Sequence, residues 1–193
     1  MDSLTNFAAP EEDHLSCSAR AIWFTGLSGA GKTTIARGLQ CCFRANGCPS
    51  VLLDGDELRQ GVNSGLGFTK PDRMENIRRT AEMTKILLRN GLVCLISTIS
   101  PYPELREMAR KIIGSELFIE VFINAPLRVC EKRDVKGFYS KARNNQIADF
   151  TGVQDLYIPP DNPDLEIRTD QLSIEDSILR ILGFLEQRMV INR

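Results

Sequence analysis

Histidine is almost absent from this chain of 193 residues: the one present, His14, sits in a polar N-terminal stretch. Proton transfer must therefore fall to carboxylates, lysine or water, which removes the histidine-dependent triad hydrolases. Long hydrophobic runs are also missing. Nothing approaches the ~20 apolar residues that span a bilayer, and Met1 to Pro10 lacks both the basic and the apolar regions of a secretory signal. The chain reads as a cytoplasmic protein with no membrane association. Nor does one sign of charge dominate: 24 basic residues stand against 25 acidic ones, which leaves no general electrostatic reason to bind nucleic acid. No C-x-x-C spacing occurs among Cys17, Cys41, Cys42, Cys48, Cys94 and Cys130, most of which lie in apolar segments as buried thiols do. A structural metal is not expected, and the thiols should stay reduced; the disulfide with some case is Cys17 with Cys41 or Cys42.

What remains is ordinary globular material, 42% hydrophobic and 25% charged, enough for one domain. Residues 1–18 are polar and without period, a leader open to disorder, and one domain follows over 19–193. Strand-like runs at Ala21–Thr25, Ser50–Leu53, Leu92–Thr98, Leu117–Ile123 and Asp164–Arg168 alternate with helical segments. That alternation predicts an α/β fold, a five-stranded parallel sheet between two helical layers, with ligands beyond the carboxyl ends of the strands. Lys70 to Asn90 reads as one long helix with Pro71 in its first turn and Gly91 just past its end. Its expected buried stripe is Ile77, Ala81, Ile86 and Leu87, with Arg73, Asn76 and Arg79 pointing elsewhere. A last helix starts at Ser173, which Asp176 joins in the manner of a capping box. Residues 133–152 mix basic and aromatic side chains between core elements and read as a mobile lid.

Chemistry begins directly after the first strand. Gly26-Leu27-Ser28-Gly29-Ala30-Gly31-Lys32-Thr33 spells G-x-x-x-x-G-K-T, and a helix-forming segment opens with Thr34. Strand before and helix after mark a phosphate loop. Small residues let successive N–H groups converge on the β- and γ-phosphates at a helix N-terminus. Lys32 then neutralises phosphate oxygen, and Thr33 offers a hydroxyl to Mg²⁺.

A phosphate loop alone does not separate a kinase from a nucleotide switch; a second pocket with its own anion clamp does. Asp54-Gly55-Asp56-Glu57-Leu58-Arg59, Gly65-Leu66-Gly67-Phe68 and Asp72-Arg73-Met74-Glu75-Asn76-Ile77-Arg78-Arg79 supply its parts. With I-S-P-Y at Ile99 to Tyr102, V-C-E-K-R-D-V-K-G from Val129 to Gly137 and F-T-G at Phe150 to Gly152, the chain resembles the adenylylsulfate kinase family from about Ile22 to Ile167. The resemblance implies a three-layer phosphate-loop kinase that uses ATP and Mg²⁺ to phosphorylate the 3′-hydroxyl of adenosine 5′-phosphosulfate. Its products would be 3′-phosphoadenylyl sulfate and ADP, in sulfate assimilation. Members of the family are often dimers, which leaves a homodimer open.

By the same resemblance Gly26 to Thr34 and Arg133 bind ATP, Thr33 and Asp56 hold the metal, and Lys32 and Asp56 are catalytic. Asp56 polarises the ribose hydroxyl or caps the helix that follows it, and the two roles are compatible. Arg59, Arg73 and Asn76 contact the phosphosulfate, since guanidinium forks suit tetrahedral oxyanions. Phe68 and Phe150 flank the substrate adenine, Ile77 and Ile99 complete its site, and Lys136 reaches the phosphates when the lid closes. Ser100 corresponds to a family serine considered as a phosphoserine intermediate. In-line transfer needs no such nucleophile, so a substrate-binding or turn-forming Ser100 is the expected reading. The chain departs from family habit at Thr98, where phenylalanine is common, at Ser140, where lysine is, and at Ala148-Asp149, where Lys-Gly is frequent. Two rival classes share the cradle. One is another small-molecule kinase of nucleoside monophosphate or gluconate type, which has no use for paired aromatics. The other is a nucleotide-dependent switch, for which no guanine-reading Asn-Lys-x-Asp occurs.

Overall fold

The computed structural model describes residues 16–134, 136–147, 149–188 and 191–192, so most of the expected leader lies outside the described residues. In chain order the elements are β1 (Ser16–Cys17), β2 (Ala21–Thr25), α1 (Lys32–Ala45), β3 (Ser50–Asp54), α2 (Gly55–Gln60), α3 (Lys70–Arg89) and β4 (Val93–Ser97). There follow α4 (Pro103–Ile113), β5 (Phe118–Asn124), α5 (Leu127–Arg133), α6 (Phe138–Arg143), β6 (Leu165–Arg168), α7 (Ile174–Gln187) and β7 (Ile191–Asn192). Five strands form one parallel sheet in the order β3-β4-β2-β5-β6, and β1 pairs antiparallel with β7. Each strand of the parallel sheet lies within one position of its expected bounds.

Period-two alternation sorts the sheet residues onto two helical layers. Ile22 and Phe24 of β2 pack with α1 and α7, while Ala21 and Trp23 pack with α3 and α4. Trp23 and Phe24 are fully buried, each contributing about 1.5–3 kcal/mol. β2 lies between β4 and β5, so its carboxyl end is where crossovers diverge and a crevice opens. There the chain turns sharply: Gly26 has φ +147°, and a Cβ on it would lie 2.3 Å from the Ile123 carbonyl oxygen. Only glycine fits so close an approach.

The long helix α3 forms as expected, capped by Thr69, whose hydroxyl accepts from the Asp72 N–H at 3.3 Å. Its buried face differs from the expected stripe. Ile86 is 60% exposed, and the buried line is Arg73, Asn76, Ile77, Thr80, Ala81, Thr84 and Leu88. At about 100° per residue, nine residues carry Ile86 to the side opposite Ile77. Arg73 and Asn76 therefore share the buried face instead of pointing away from it.

Against the expectation that the thiols stay reduced, Cys17 is disulfide-bonded to Cys48, with Cα atoms 5.8 Å apart, and not to Cys41 or Cys42. Cys48 sits buried in the turn after α1, whereas Cys41 is on that helix's exposed face. Residues of the segment read as a lid pack on the domain: Tyr139, Ala142 and Phe150 are buried in the same cluster as Ile167 of β6. Tyr139 donates its hydroxyl to the Ser28 carbonyl at 3.0 Å.

On the α4 layer, Arg106 Nε lies 2.8 Å from Glu120 Oε1, both side chains nearly excluded from water. Arg106 also donates to the Ser100 carbonyl at 2.9 Å, tying the loop after β4 to the sheet. Burial pushes the Glu120 carboxyl up, against the pull of Arg106 and Arg110. Removing the carboxylate leaves a buried guanidinium unpaired. Glu120→Ala is expected to lose about 3 kcal/mol of stability, read as a lower urea midpoint at unchanged slope.

Candidate active site

Every loop that leaves the carboxyl edge of β2, β3 and β4 opens onto one cavity of about 790 Å³. Its donor end is the phosphate loop. Ser28, Gly29, Gly31, Lys32, Thr33 and Thr34 line it, joined by Arg133, while Gly26, Leu27 and Ala30, also expected at ATP, are not part of its lining. Leu27 instead faces a second cleft of about 360 Å³ beside β5. Lys32 folds back over its own loop, donating from Nζ to the carbonyls of Gly26 at 2.9 Å and Leu27 at 2.8 Å. Burial lowers its pKa to about 8, with Asp56 opposing the shift most strongly. Arg133 braces the loop from outside, donating to the carbonyls of Gly29, Ala30 and Thr169.

Thr33 meets the sheet through its hydroxyl, which donates to Asp54 Oδ2 at 2.6 Å and lies 3.0 Å from Ser97 Oγ. Asp54 Oδ1 accepts the Asp56 N–H at 2.9 Å, so the cap of α2 is Asp54, not Asp56. Sequence reasoning missed Asp54 and Ser97; the first aspartate of D-G-D, standing at a strand end, was the available signal. With its cap role taken by Asp54, Asp56 is left to face the cavity, where its side chain is half exposed and paired with Lys136.

All the residues assigned to the acceptor line the same cavity: Asp56, Arg59, Phe68, Arg73, Asn76, Ile77, Ile99, Ser100, Lys136 and Phe150. Arg59 donates to the carbonyls of Leu66 and Gly67 at 3.0 and 2.9 Å, and its guanidinium carbon stands 4.6 Å from the Phe68 ring centroid. Arg73 approaches the same ring at 5.7 Å. Burial lowers the pKa of both guanidinium groups, Asp155 opposing it most for Arg73. Asn76 accepts from Asn63 Nδ2 at 2.9 Å through Oδ1, which leaves its own N–H₂ as the end available to an anion. Asn63 is fully buried in an otherwise exposed turn, and no motif pointed to it.

Phe68 is 41% exposed, while Phe150 is 5% exposed with its ring against the edges of Phe138 and Tyr139. Asp149 has φ +55°, a left-handed backbone that glycine adopts freely and aspartate tolerates. Ser100 also has positive φ, and its hydroxyl is committed inward. It accepts from Trp23 Nε1 at 3.1 Å and lies 3.1 Å from Thr25 Oγ1.

Fold and site together define a phosphate-loop kinase, with a triphosphate cradle and a cationic, aromatic second pocket in one crevice. The adenylylsulphate kinase family model matches residues 18–168. A relative named adenylyl-sulfate kinase from Halothermothrix orenii is 53% identical over 171 residues, 89% of this chain and 91% of that protein. The chain belongs to the adenylylsulphate kinase family. Among solved structures, the Mycobacterium tuberculosis APS kinase CysC in complex with AMPPNP and APS superposes with TM-score 0.84 at 40% identity, covering 89% of this chain and 99% of that one. A hexameric APS kinase from Thiobacillus denitrificans gives TM-score 0.69 at 29% identity, covering 91% of this chain and 30% of that one.

Lys32 generates a pH dependence whose sign is fixed. Above pH about 8 much of the free protein carries a neutral Lys32, and a bound triphosphate restores the proton by favouring the charged form. Nucleotide binding is expected to take up protons, increasingly as pH rises from about 7 towards about 9. Calorimetry in buffers of different ionisation enthalpy measures this, and zero uptake at pH about 8.5 contradicts it.

Proposed function

We propose that this chain transfers the γ-phosphoryl group of ATP to the 3′-hydroxyl of adenosine 5′-phosphosulfate, giving 3′-phosphoadenylyl sulfate and ADP for sulfate assimilation. The observation that carries the reading is the single cavity, with the phosphate cradle and the whole acceptor set lining it. Phosphoryl transfer is mainly positioning and charge neutralisation, which is what this lining supplies. Lys32 and the loop amides hold the donor phosphates. Thr33, backed by Asp54 and Ser97, offers hard oxygen donors that suit Mg²⁺, whose chemistry there is to neutralise phosphate charge. Asp56 turns from Lys136 to the ribose hydroxyl and draws its proton as the oxygen meets phosphorus.

Arg59, Arg73 and the N–H₂ of Asn76 receive the phosphosulfate, and Phe68 and Phe150 stack on its adenine. Ser100 serves as a loop-shaping residue. Its hydroxyl is held by Trp23 and Thr25, and no base stands ready to activate it. Arg133 borders the ATP end, and Lys136 exchanges Asp56 for phosphate when the lid closes over both substrates. Action in the cytoplasm and assembly as a homo-oligomer complete the proposal. Among the described residues no helix is long and apolar enough to cross a membrane.

A coupled ADP-release assay offering adenylyl sulfate, AMP and gluconate in parallel should give turnover that depends on Mg²⁺ with adenylyl sulfate and little with the others. Preference for AMP or gluconate contradicts the reading. Asp56→Asn is expected to lower kcat at least about 100-fold while both KM values move less than about threefold. Near-wild-type turnover in that variant removes Asp56 from the chemistry.

A further inference from the structure

One carboxylate behind the acceptor end, on the second cleft beside β5, has no part in the reaction just described, yet it joins three of the elements that build that end. Asp155 closes the turn that begins at Phe150: its N–H donates to the Phe150 carbonyl at 3.2 Å, and its own carbonyl accepts from Gly152 at 2.7 Å. Its side chain reaches the loop after β4 and the first turn of α3. The Tyr102 hydroxyl lies 2.6 Å from both carboxylate oxygens, and Arg73 Nη2 lies 3.5 Å from Oδ2. Tyr102 follows Ile99 and Ser100 in the loop after β4.

Arg73 extends the connection to the second aromatic. Nε donates to the Phe68 carbonyl at 2.8 Å, and Nη2 donates to the carbonyl of Asp149, the residue before Phe150. One guanidinium thus bridges the backbone at both phenylalanines. It is 5% exposed, and a buried cation needs a full counter-charge, which two carbonyl dipoles do not provide. Asp155 provides it.

We propose that Asp155 is a positioning residue for the acceptor. By anchoring Arg73 and Tyr102 it holds the Phe68 and Phe150 turns at the spacing of a stacked base, and it commits Nε and Nη2 of Arg73 to the protein so that Nη1 is presented to the phosphosulfate. The proposal rests on the acceptor assignment above. ATP, at the other end of the cavity, does not depend on this contact.

The test is steady-state kinetics on the full chain. Asp155→Asn keeps shape and removes charge; it is expected to raise KM for adenylyl sulfate about tenfold, with KM for ATP within about twofold. Tyr102→Phe keeps the charge and loses one hydroxyl, and should shift KM for adenylyl sulfate about threefold in the same direction. Combined with Arg73→Lys, Asp155→Asn should add much less than its separate factor, because both changes act through one guanidinium. Equal rises in the two KM values, or effects that multiply fully with Arg73→Lys, overturn the proposal. If Asp155→Asn does not fold, an unshifted KM in Tyr102→Phe overturns it, and a selective shift there supports it. A wild-type chain inactive on adenylyl sulfate overturns the functional reading and this inference with it; wild-type activity with unselective variants overturns this inference alone.

Discussion

Asp54, the last residue of β3, holds the donor and acceptor halves of the cavity in one frame through its two carboxylate oxygens. One accepts the Thr33 hydroxyl at 2.6 Å, and the other accepts the Asp56 N–H and so starts α2. Hydrogen bonds to an ionised acceptor are the strong ones, and burial strengthens them further. The separation between the phosphate cradle and Asp56 is therefore set by the end of a strand, not by a flexible connection. β3 in turn is registered against β4, whose Ser97 meets the same Thr33 hydroxyl. Two strand ends and one helix start converge on a single side chain at the base of the site.

Around that frame the cations rest on acceptors of the protein itself. Lys32 lies on carbonyls of its own loop, Lys136 on Asp56, Arg59 on the turn before Phe68, and Arg73 on two carbonyls and Asp155. An anionic ligand entering the cavity then meets no bare charge. Such parking keeps buried cations from remaining uncompensated. It also explains why acidic residues stand so close to the basic ones in this cavity, and why the near-zero net charge says so little about ligands.

Much of this was legible residue by residue. Apolar runs of the right length located all five strands of the parallel sheet within one position, a contiguous motif marked the phosphate loop, and Arg59, Phe68, Arg73, Asn76 and Phe150, named by resemblance, line the same cavity as that loop. The errors have physical sources. Ile86 is apolar but lies half a revolution from Ile77, so residue type outweighed angular position in the expected stripe. Cys48 was passed over for Cys41 and Cys42 because pairing depends on where a helix ends and its turn points. Asp54 was overlooked beside Asp56 because only the direction of β3 reveals which aspartate faces the cradle, and Asn63 because a buried amide in an exposed turn has no pattern.

The order of residues alone determined the fold class and the phosphate loop between β2 and α1. Strand period, helix caps and loop motifs are properties of neighbours along the chain, and local backbone geometry expresses them directly. Tertiary structure alone decided that Asp54 meets the Thr33 hydroxyl, that the Ser100 hydroxyl turns inward to Trp23, that Asn63 orients Asn76, and that Asp155 reaches Arg73. Each of those outcomes is a short contact between side chains brought together by sheet and helix packing, and a hydrogen bond's reach of about 3 Å is set in space, not by sequence separation.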